Sequence, residues 1–418
     1  MQSDSEMENI HQKHMDHLPP KLTGYIEGFY GHLLGWDDRL RLLDKLASLS
    51  MNAYLYAPKD DPCHRFHCRV DYDSDWRAGF AQFCRDAHAR HISVIAGIAP
   101  GLDFNFADLA SADSHTENTK TNAKTNAKKN DLAILCNKAA QLRADGADHI
   151  ALLMDDIAAD FGQRAGAYKS EGTAHAALAN RLAAYLDCPV ILVPRIYADE
   201  LVINADAESA PYLDDLASSL DPASAIMHCG SHIVAPVISR DDILARSHAL
   251  SHRLIIWDNI YAQDYCPRRL FIGPYRGRDM DGDIMLNPTG MIETDLLLLD
   301  IMADTQSWPD SLKAAGIPDE FVKLAAYFDA PYGFFPAFDM PEDADALATL
   351  EVLLWSWKSP LQREWYPFLM GLKHDILMQN GALPALRIAK TQTPALSSHI
   401  LSSHILASQN GADADDES

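Results

Sequence analysis

HIALLMDD, residues 149–156, is the stretch on which the fold reading turns. An apolar run ends at Met154 and is followed at once by two carboxylates, Asp155 and Asp156. Such a run reads as a strand buried on both faces, as in parallel sheets. Comparable runs are Gly24–Glu27, Asn52–Ala57, Ile92–Gly97, Val190–Val193, Ala225–His228, Leu254–Trp257 and Asp283–Leu286. With His149–Met154 they make about eight strands. Helical patterns lie between them, among them Asp37–Ser50, Trp76–Arg90 and Asp131–Asp145, the first two starting at acidic or polar caps. The connection Ala262–Met280 reads as irregular. Strand and helix in alternation predict an α/β fold, a (β/α)8 TIM-like barrel, followed by a smaller C-terminal helical domain. A doubly wound open sheet is the alternative, but no Gly-rich phosphate loop follows the first run.

The chain has 418 residues, 48% of them hydrophobic, which is enough for a large buried core. The expected organisation is a tail over residues 1–20, a catalytic barrel over 21–292, a helical domain over 293–392 and a flexible tail over 393–418. Residues 111–130 are polar and repetitive, with a near-duplicated TNAK, and read as a surface insertion in the barrel. The last segment repeats SSHIL in tandem, and Ile400, Leu401, Ile405 and Leu406 could form a docking helix. The formal net charge is −24. A surface that acidic repels phosphate backbones and anionic lipid, so neither nucleic acid nor membrane is an expected partner. No apolar run approaches the roughly 18 residues that span a bilayer. Met1–Lys21 lacks the basic start and apolar stretch of a secretory signal, and the seven Cys are scattered. A cytoplasmic location is therefore expected; the oligomeric state is left open.

In a barrel, function collects where strands end. Here the runs are followed by Glu27-Gly28-Phe29-Tyr30-Gly31, Lys59-Asp60-Asp61, Asp155-Asp156, Tyr197, Asp258-Asn259 and Asn287. An Asp-Asp pair alone says little, because Asp37-Asp38, Asp60-Asp61, Asp214-Asp215 and Asp241-Asp242 also occur. The position of Asp155-Asp156 says more. Neighbouring carboxylates in a confined mouth cannot both ionise cheaply, so one can keep a proton while the other stays an anion. Glycosidic cleavage needs that division. Successive strand residues point to opposite faces, so adjacent aspartates cannot face each other across a sugar ring. They can serve neighbouring parts of an N-acetyl sugar whose own acetamide carbonyl attacks the anomeric carbon. One would orient the acetamide N–H, and the other would protonate the leaving oxygen.

GYIEGFYG from Gly24, MNAYLYAPKDDPCHR from Met51, ALLMDDI, IIWDNIYAQDY and LNP together resemble glycoside hydrolase family 84, from about Gly24 to about Asn287. That family holds bacterial β-N-acetylglucosaminidases and protein O-GlcNAcases on a (β/α)8 barrel with a helical region. The resemblance implies a retaining exo-β-N-acetylglucosaminidase that forms an oxazoline, needs no cofactor or metal, and takes a β-GlcNAc-bearing glycan or glycoprotein. It implies Asp155 as the acetamide-orienting carboxylate and Asp156 as general acid, then base. Gly28 would offer its backbone to a hydroxyl, and Tyr30, from the same motif, would line the sugar site. Lys59 would donate to hydroxyls, and Tyr197 would bond the acetamide oxygen. Trp257 and Asn259 would line the acetyl pocket, with Asp264 and Asn287 on the outer hydroxyls. The sequence departs from the family in having Trp36 where a Pro-Trp pair usually falls earlier, and Gln263 in place of an Asn.

Plainer readings stand beside these. Lys59 could be a surface lysine, Trp257 a core aromatic, Asn259 and Asn287 loop caps, and Tyr30 and Phe29 packing at the mouth. Cys63-His64-Arg65-Phe66-His67-Cys68 lacks the spacing and second cluster of a structural zinc site; His64 and Arg65 fall where the family has a loop-stabilising pair. The rival functions are a non-catalytic GlcNAc-binding barrel, an enzyme on hyaluronan- or chitin-like polymers, and a scaffold using residues from about 293 onward.

Overall fold

The computed structural model describes residues 21–112, 130–203, 211–279, 281–303, 307–331 and 338–381. The tails read at 1–20 and 393–418, the docking helix near Ile400, and residues 113–129 of the 111–130 insertion lie outside the described residues. By contacts the chain divides into one unit of residues 1–371 and another of 372–418, of which 372–381 are described.

Eight parallel strands close a barrel in the order β1-β8-β7-β6-β5-β4-β3-β2. They are β1 (Thr23–Glu27), β2 (Ala53–Tyr56), β3 (Ser93–Ile98), β4 (His149–Leu153), β5 (Ile191–Val193), β6 (Ala225–His228), β7 (Leu254–Asp258) and β8 (Asp283–Leu286). The ring closes where β1 pairs with β2 through Gly24 and Ala53, and with β8 through Thr23 and Ile284. All eight coincide with the apolar runs. The reason is physical: a strand sandwiched between barrel core and helix layer needs apolar residues at both parities. A two-residue parallel ladder, Ile238–Ser239 with Arg278–Asp279, was not foreseen, being too short to carry a period.

Inward-pointing Ile26, Leu55, Ile95, Leu153, Met227 and Ile255 fill the barrel axis. Outward-pointing Tyr25, Tyr54 and Tyr56 are buried beneath the helices. Helix α1 (Trp36–Ser48) has Gly35 as N-cap with no side-chain cap, whereas α2 (Ser74–His88) is capped by Asp73, whose carboxylate accepts from Trp76 N–H at 2.8 Å. Trp36 stands away from the mouth. It stacks on Tyr56, and a Cβ on Gly79 of α2 would fall 2.4 Å from its indole nitrogen. Only glycine lets α2 approach that ring.

The polar strand ends divide by parity. Glu27 points outward and forms a buried bidentate pair with Arg39 of α1 (2.9 and 2.7 Å), while Tyr54 O–H donates to it at 2.7 Å. Asp258 likewise points outward, to Arg278 at 2.8 Å and the Tyr275 hydroxyl at 2.8 Å. Both therefore hold the helix layer and the β7–β8 connection. Among the described residues that connection contains no helix, as its sequence suggests.

After β8 comes a helix, Ile292–Met302, lying against α1 through Lys45–Asp300 and Arg41–Glu293, both at 2.8 Å. A helical region follows: Trp308–Ala314, Asp343–Glu351 and Pro360–Gln379, with shorter turns between. Within the first unit Glu364 caps the Ile292–Met302 helix, accepting from Glu293 N–H at 2.9 Å and Thr294 N–H at 2.8 Å.

Candidate active site

Alternation places Leu153 in the barrel axis, Met154 outward and Asp155 inward. Asp155 is buried, one oxygen in contact with the Lys59 ammonium. Its other oxygen, Oδ1, is buried with no hydrogen-bond partner among the described residues. An unpartnered buried carboxylate oxygen costs stability of order 1–3 kcal/mol and calls for a functional account. Asp156 then breaks the alternation. Its φ is +53°, left-handed backbone that a non-glycine residue adopts only under local constraint. Arg65 supplies the constraint: its guanidinium donates to the Asp156 carbonyl at 2.6 Å and to the Asp155 carbonyl at 3.4 Å. The strict two-face expectation is thus corrected. Lys59 Nζ touches Asp155 and lies 3.9 Å from Asp156 Oδ2, so both carboxylates share one ammonium.

Lys59 is 1% exposed, which removes the surface-lysine reading. Its loop is built around Asp61, which accepts from the hydroxyls of Tyr56 (2.7 Å) and Tyr72 (3.0 Å) and from Cys63 N–H at 2.9 Å. His64 in the same loop bonds the Gly97 carbonyl through Nδ1 at 2.9 Å. Burial and the neighbouring Lys59 push its pKa down to about 3, so it stays neutral.

Two phenols converge on Asp156. Tyr30 O–H donates to Oδ2 at 2.9 Å and Tyr197 O–H to Oδ1 at 2.8 Å. Burial, then the charge of Asp156, raises both phenol pKa values, which keeps them donors. The Tyr30 main chain is pinned by its N–H to Asp264 Oδ2 at 3.0 Å. Burial also raises the Asp264 pKa.

Opposite these, Trp257 and Asn259 project from the end of β7, Asn287 follows β8 and Gly28 follows β1. Trp257 Nε1–H and Asn287 Nδ2–H both donate to Asn259 Oδ1 at 2.9 Å. Asn259 Nδ2–H donates to the Ile233 carbonyl at 2.9 Å, and Gly28 N–H to Asn287 Oδ1 at 3.2 Å. The two amides thus fix each other and the indole. A Cβ on Gly28 would sit 2.3 Å from the Trp257 ring, so the close approach requires glycine. With its N–H spent on Asn287, Gly28 can offer a ligand only its carbonyl.

All ten residues named for the site, Gly28, Tyr30, Lys59, Asp155, Asp156, Tyr197, Trp257, Asn259, Asp264 and Asn287, belong to segments that follow or end strands at one mouth of the barrel. Sequence reasoning gave Arg65 only a loop-stabilising place; nothing in HR announces that it grips the main chain of Asp156. It also missed Cys229, buried at the end of β6, whose sulfur accepts from Asn259 Nδ2–H at 3.5 Å.

A closed (β/α)8 barrel with paired carboxylates, aromatics and amides at its C-terminal mouth defines a sugar-hydrolase type of protein. Residues 23–303 match the profile of the beta-N-acetylglucosaminidase family, and the chain belongs to that family of glycoside hydrolases. Protein O-GlcNAcase of Rattus norvegicus is 29% identical over 292 residues, covering 68% of this chain and 29% of the relative. That of Mus musculus is 28% identical over the same span. The chain thus spans under a third of the length of these curated relatives. A mutant O-GlcNAc hydrolase of Thermobaculum terrenum shares the fold, with a TM-score of 0.69 at 20% identity, over 86% of this chain and 83% of that one.

Proposed function

We propose that this protein is a retaining exo-β-N-acetylglucosaminidase that removes terminal β-linked GlcNAc, including O-GlcNAc on protein Ser or Thr, by substrate-assisted catalysis. The observation that carries the reading is Asp155: a buried carboxylate with one oxygen on Lys59 and the other awaiting a donor. An acetamide N–H is such a donor, and a carboxylate anchored by an ammonium can support the charge that develops on it.

The steps follow from the arrangement. The acetamide oxygen attacks C1 while Asp155 holds the N–H. Asp156, protonated, gives its proton to the glycosidic oxygen, and the C1–O bond breaks to release the alcohol. As the N–H proton moves onto Asp155, a neutral oxazoline is left. Asp156, now a carboxylate, takes a proton from water as the water oxygen attacks C1. The ring opens, the acetamide recovers its proton, and two inversions leave the β configuration. Trp257, Asn259, Asn287 and Gly28 form the wall against which the sugar is held, and Asp264 and Lys59 serve its hydroxyls. No cofactor or metal enters.

A thiazoline of GlcNAc, which mimics the oxazoline, should inhibit competitively, and the first product seen by NMR should be the β anomer. An α anomer, or indifference to the thiazoline, would contradict this reading. Binding of GlcNAc without any turnover would favour a carbohydrate-binding barrel, and cleavage within polymers an endo-acting enzyme. No described helix is long and apolar enough to cross a membrane. A cytoplasmic site of action is part of the proposal.

A further inference from the structure

The hydrogen bonds around Asp156 fit the second half of that reaction better than the first. Both carboxylate oxygens accept phenolic protons, at 2.9 Å from Tyr30 and 2.8 Å from Tyr197, and Lys59 Nζ lies 3.9 Å from Oδ2. A protonated Asp156 would have to donate from one of these oxygens, and the phenol facing it would have to turn its own proton away. These donors are therefore arranged for a carboxylate, whereas the first step needs an acid.

The two phenols differ in freedom. Tyr30 is 39% exposed as a residue, with only its hydroxyl end enclosed beside Asp156, while Tyr197 packs against the barrel core. The Tyr30 main chain is held by Asp264, and Gly31 follows at φ +84°. The other charged or titratable groups facing Asp156 are Lys59 and Arg65 after β2, Asp155 after β4, Cys229 after β6 and Asp264 after β7. Of the two phenols on the carboxylate, Tyr30 is the more exposed.

We infer that Tyr30 is a positioning residue that, with Tyr197, keeps Asp156 ionised until a sugar enters the mouth and displaces the Tyr30 hydroxyl. Asp156 then takes up one proton from solvent and becomes the acid. Binding and proton uptake are coupled, and Tyr30 sets the pH at which the free enzyme can take up that proton. This rests on the reading of Asp156 as the general acid.

The test is a carboxyl NMR titration of 13C-aspartate-labelled protein, with the Asp156 signal assigned by its loss in Asp156→Asn. Tyr30→Phe and Tyr197→Phe should each raise the Asp156 pKa by about half to one unit, because each removes a donor to the charged form. The alkaline limb of kcat/KM for an unactivated β-GlcNAc glycoside should move up by the same amount in Tyr30→Phe. Thermal melts should show both variants folded, since each loses one hydroxyl. An Asp156 that titrates identically in wild type and Tyr30→Phe would overturn the inference, as would a raised KM with an unmoved pH limb. Should wild type turn over no β-GlcNAc glycoside, the general-acid reading falls, and the carboxyl titration still decides whether Tyr30 holds Asp156 ionised.

Discussion

At Asp156 the site depends on backbone geometry as much as on side-chain chemistry. Its left-handed φ of +53° brings its carboxylate round to the ammonium that Asp155 already holds. Asn tolerates this region well, so Asp156→Asn should fold and lose activity on an unactivated glycoside through chemistry rather than backbone strain. Arg65→Met should leave the carboxylates in place chemically but free the two carbonyls it grips. The expected result is kcat lowered roughly 10- to 100-fold with little change in KM, since misplacement by about 1 Å costs that much. An unchanged kcat would remove Arg65 from the account. Gly28→Ala forces a methyl into the Trp257 ring, and overpacking of this kind costs about 1–3 kcal/mol, read as a lower urea midpoint. That these ten residues would gather at one mouth of the barrel was legible because the strand ends carry them in order. How they meet was not. Positive φ at an Asp, two phenols on one carboxylate, and a guanidinium on main-chain carbonyls arise from loops distant in sequence, and no spacing rule encodes them.

At the scale of the element, the strands were legible because barrel burial imposes apolar residues at every position. Helix starts were less so: α2 has its Asp73 cap, but α1 begins at Gly35 without one, and its Asp37 and Asp38 lie in the first turn. Parity was the hidden variable. Glu27 and Asp258 stand at strand ends much as Asp155 does, yet they point outward and serve ion pairs, because each is one residue out of step with the axis. The Arg39–Glu27 pair joins β1 to α1 with both side chains buried. Arg39→Met would strand the Glu27 charge, and breaking a buried pair costs about 3–5 kcal/mol. Chemical denaturation of the variant against wild type checks this; a loss under about 1 kcal/mol, the size of an exposed pair, would show that the pair is solvated.

For the whole molecule, buried histidines set the acid limit. Burial pushes His64 and His175 down to about 3 and His228 to about 4. The unfolded chain binds these protons near pH 6.5 while the folded chain refuses them. The stability they contribute is therefore complete above about pH 6.5 and is lost as pH falls toward 3 to 4. Asp295 opposes this trend: burial raises it to about 7, so its contribution falls as pH rises from about 4 to 7. His175→Gln can keep the hydrogen bond that His175 makes to the Tyr212 hydroxyl at 2.8 Å. Its stability should fall less steeply between pH 6 and 4 than wild type, by about 1.4 kcal/mol per pH unit. Parallel slopes would mean that His175 titrates in the folded state.

The most direct measurement is hydrolysis of a chromogenic β-GlcNAc glycoside and of an unactivated one by wild type, Asp155→Asn and Asp156→Asn. Wild type should cleave both. Asp155→Asn should fail on both by about 10²-fold or more, because acetamide attack on C1 accompanies every departure. Asp156→Asn should retain far more activity on the chromogenic substrate, whose leaving group needs little protonation, than on the unactivated one. Equal losses on both substrates in the two variants, or full activity in either, would contradict the division of roles between Asp155 and Asp156.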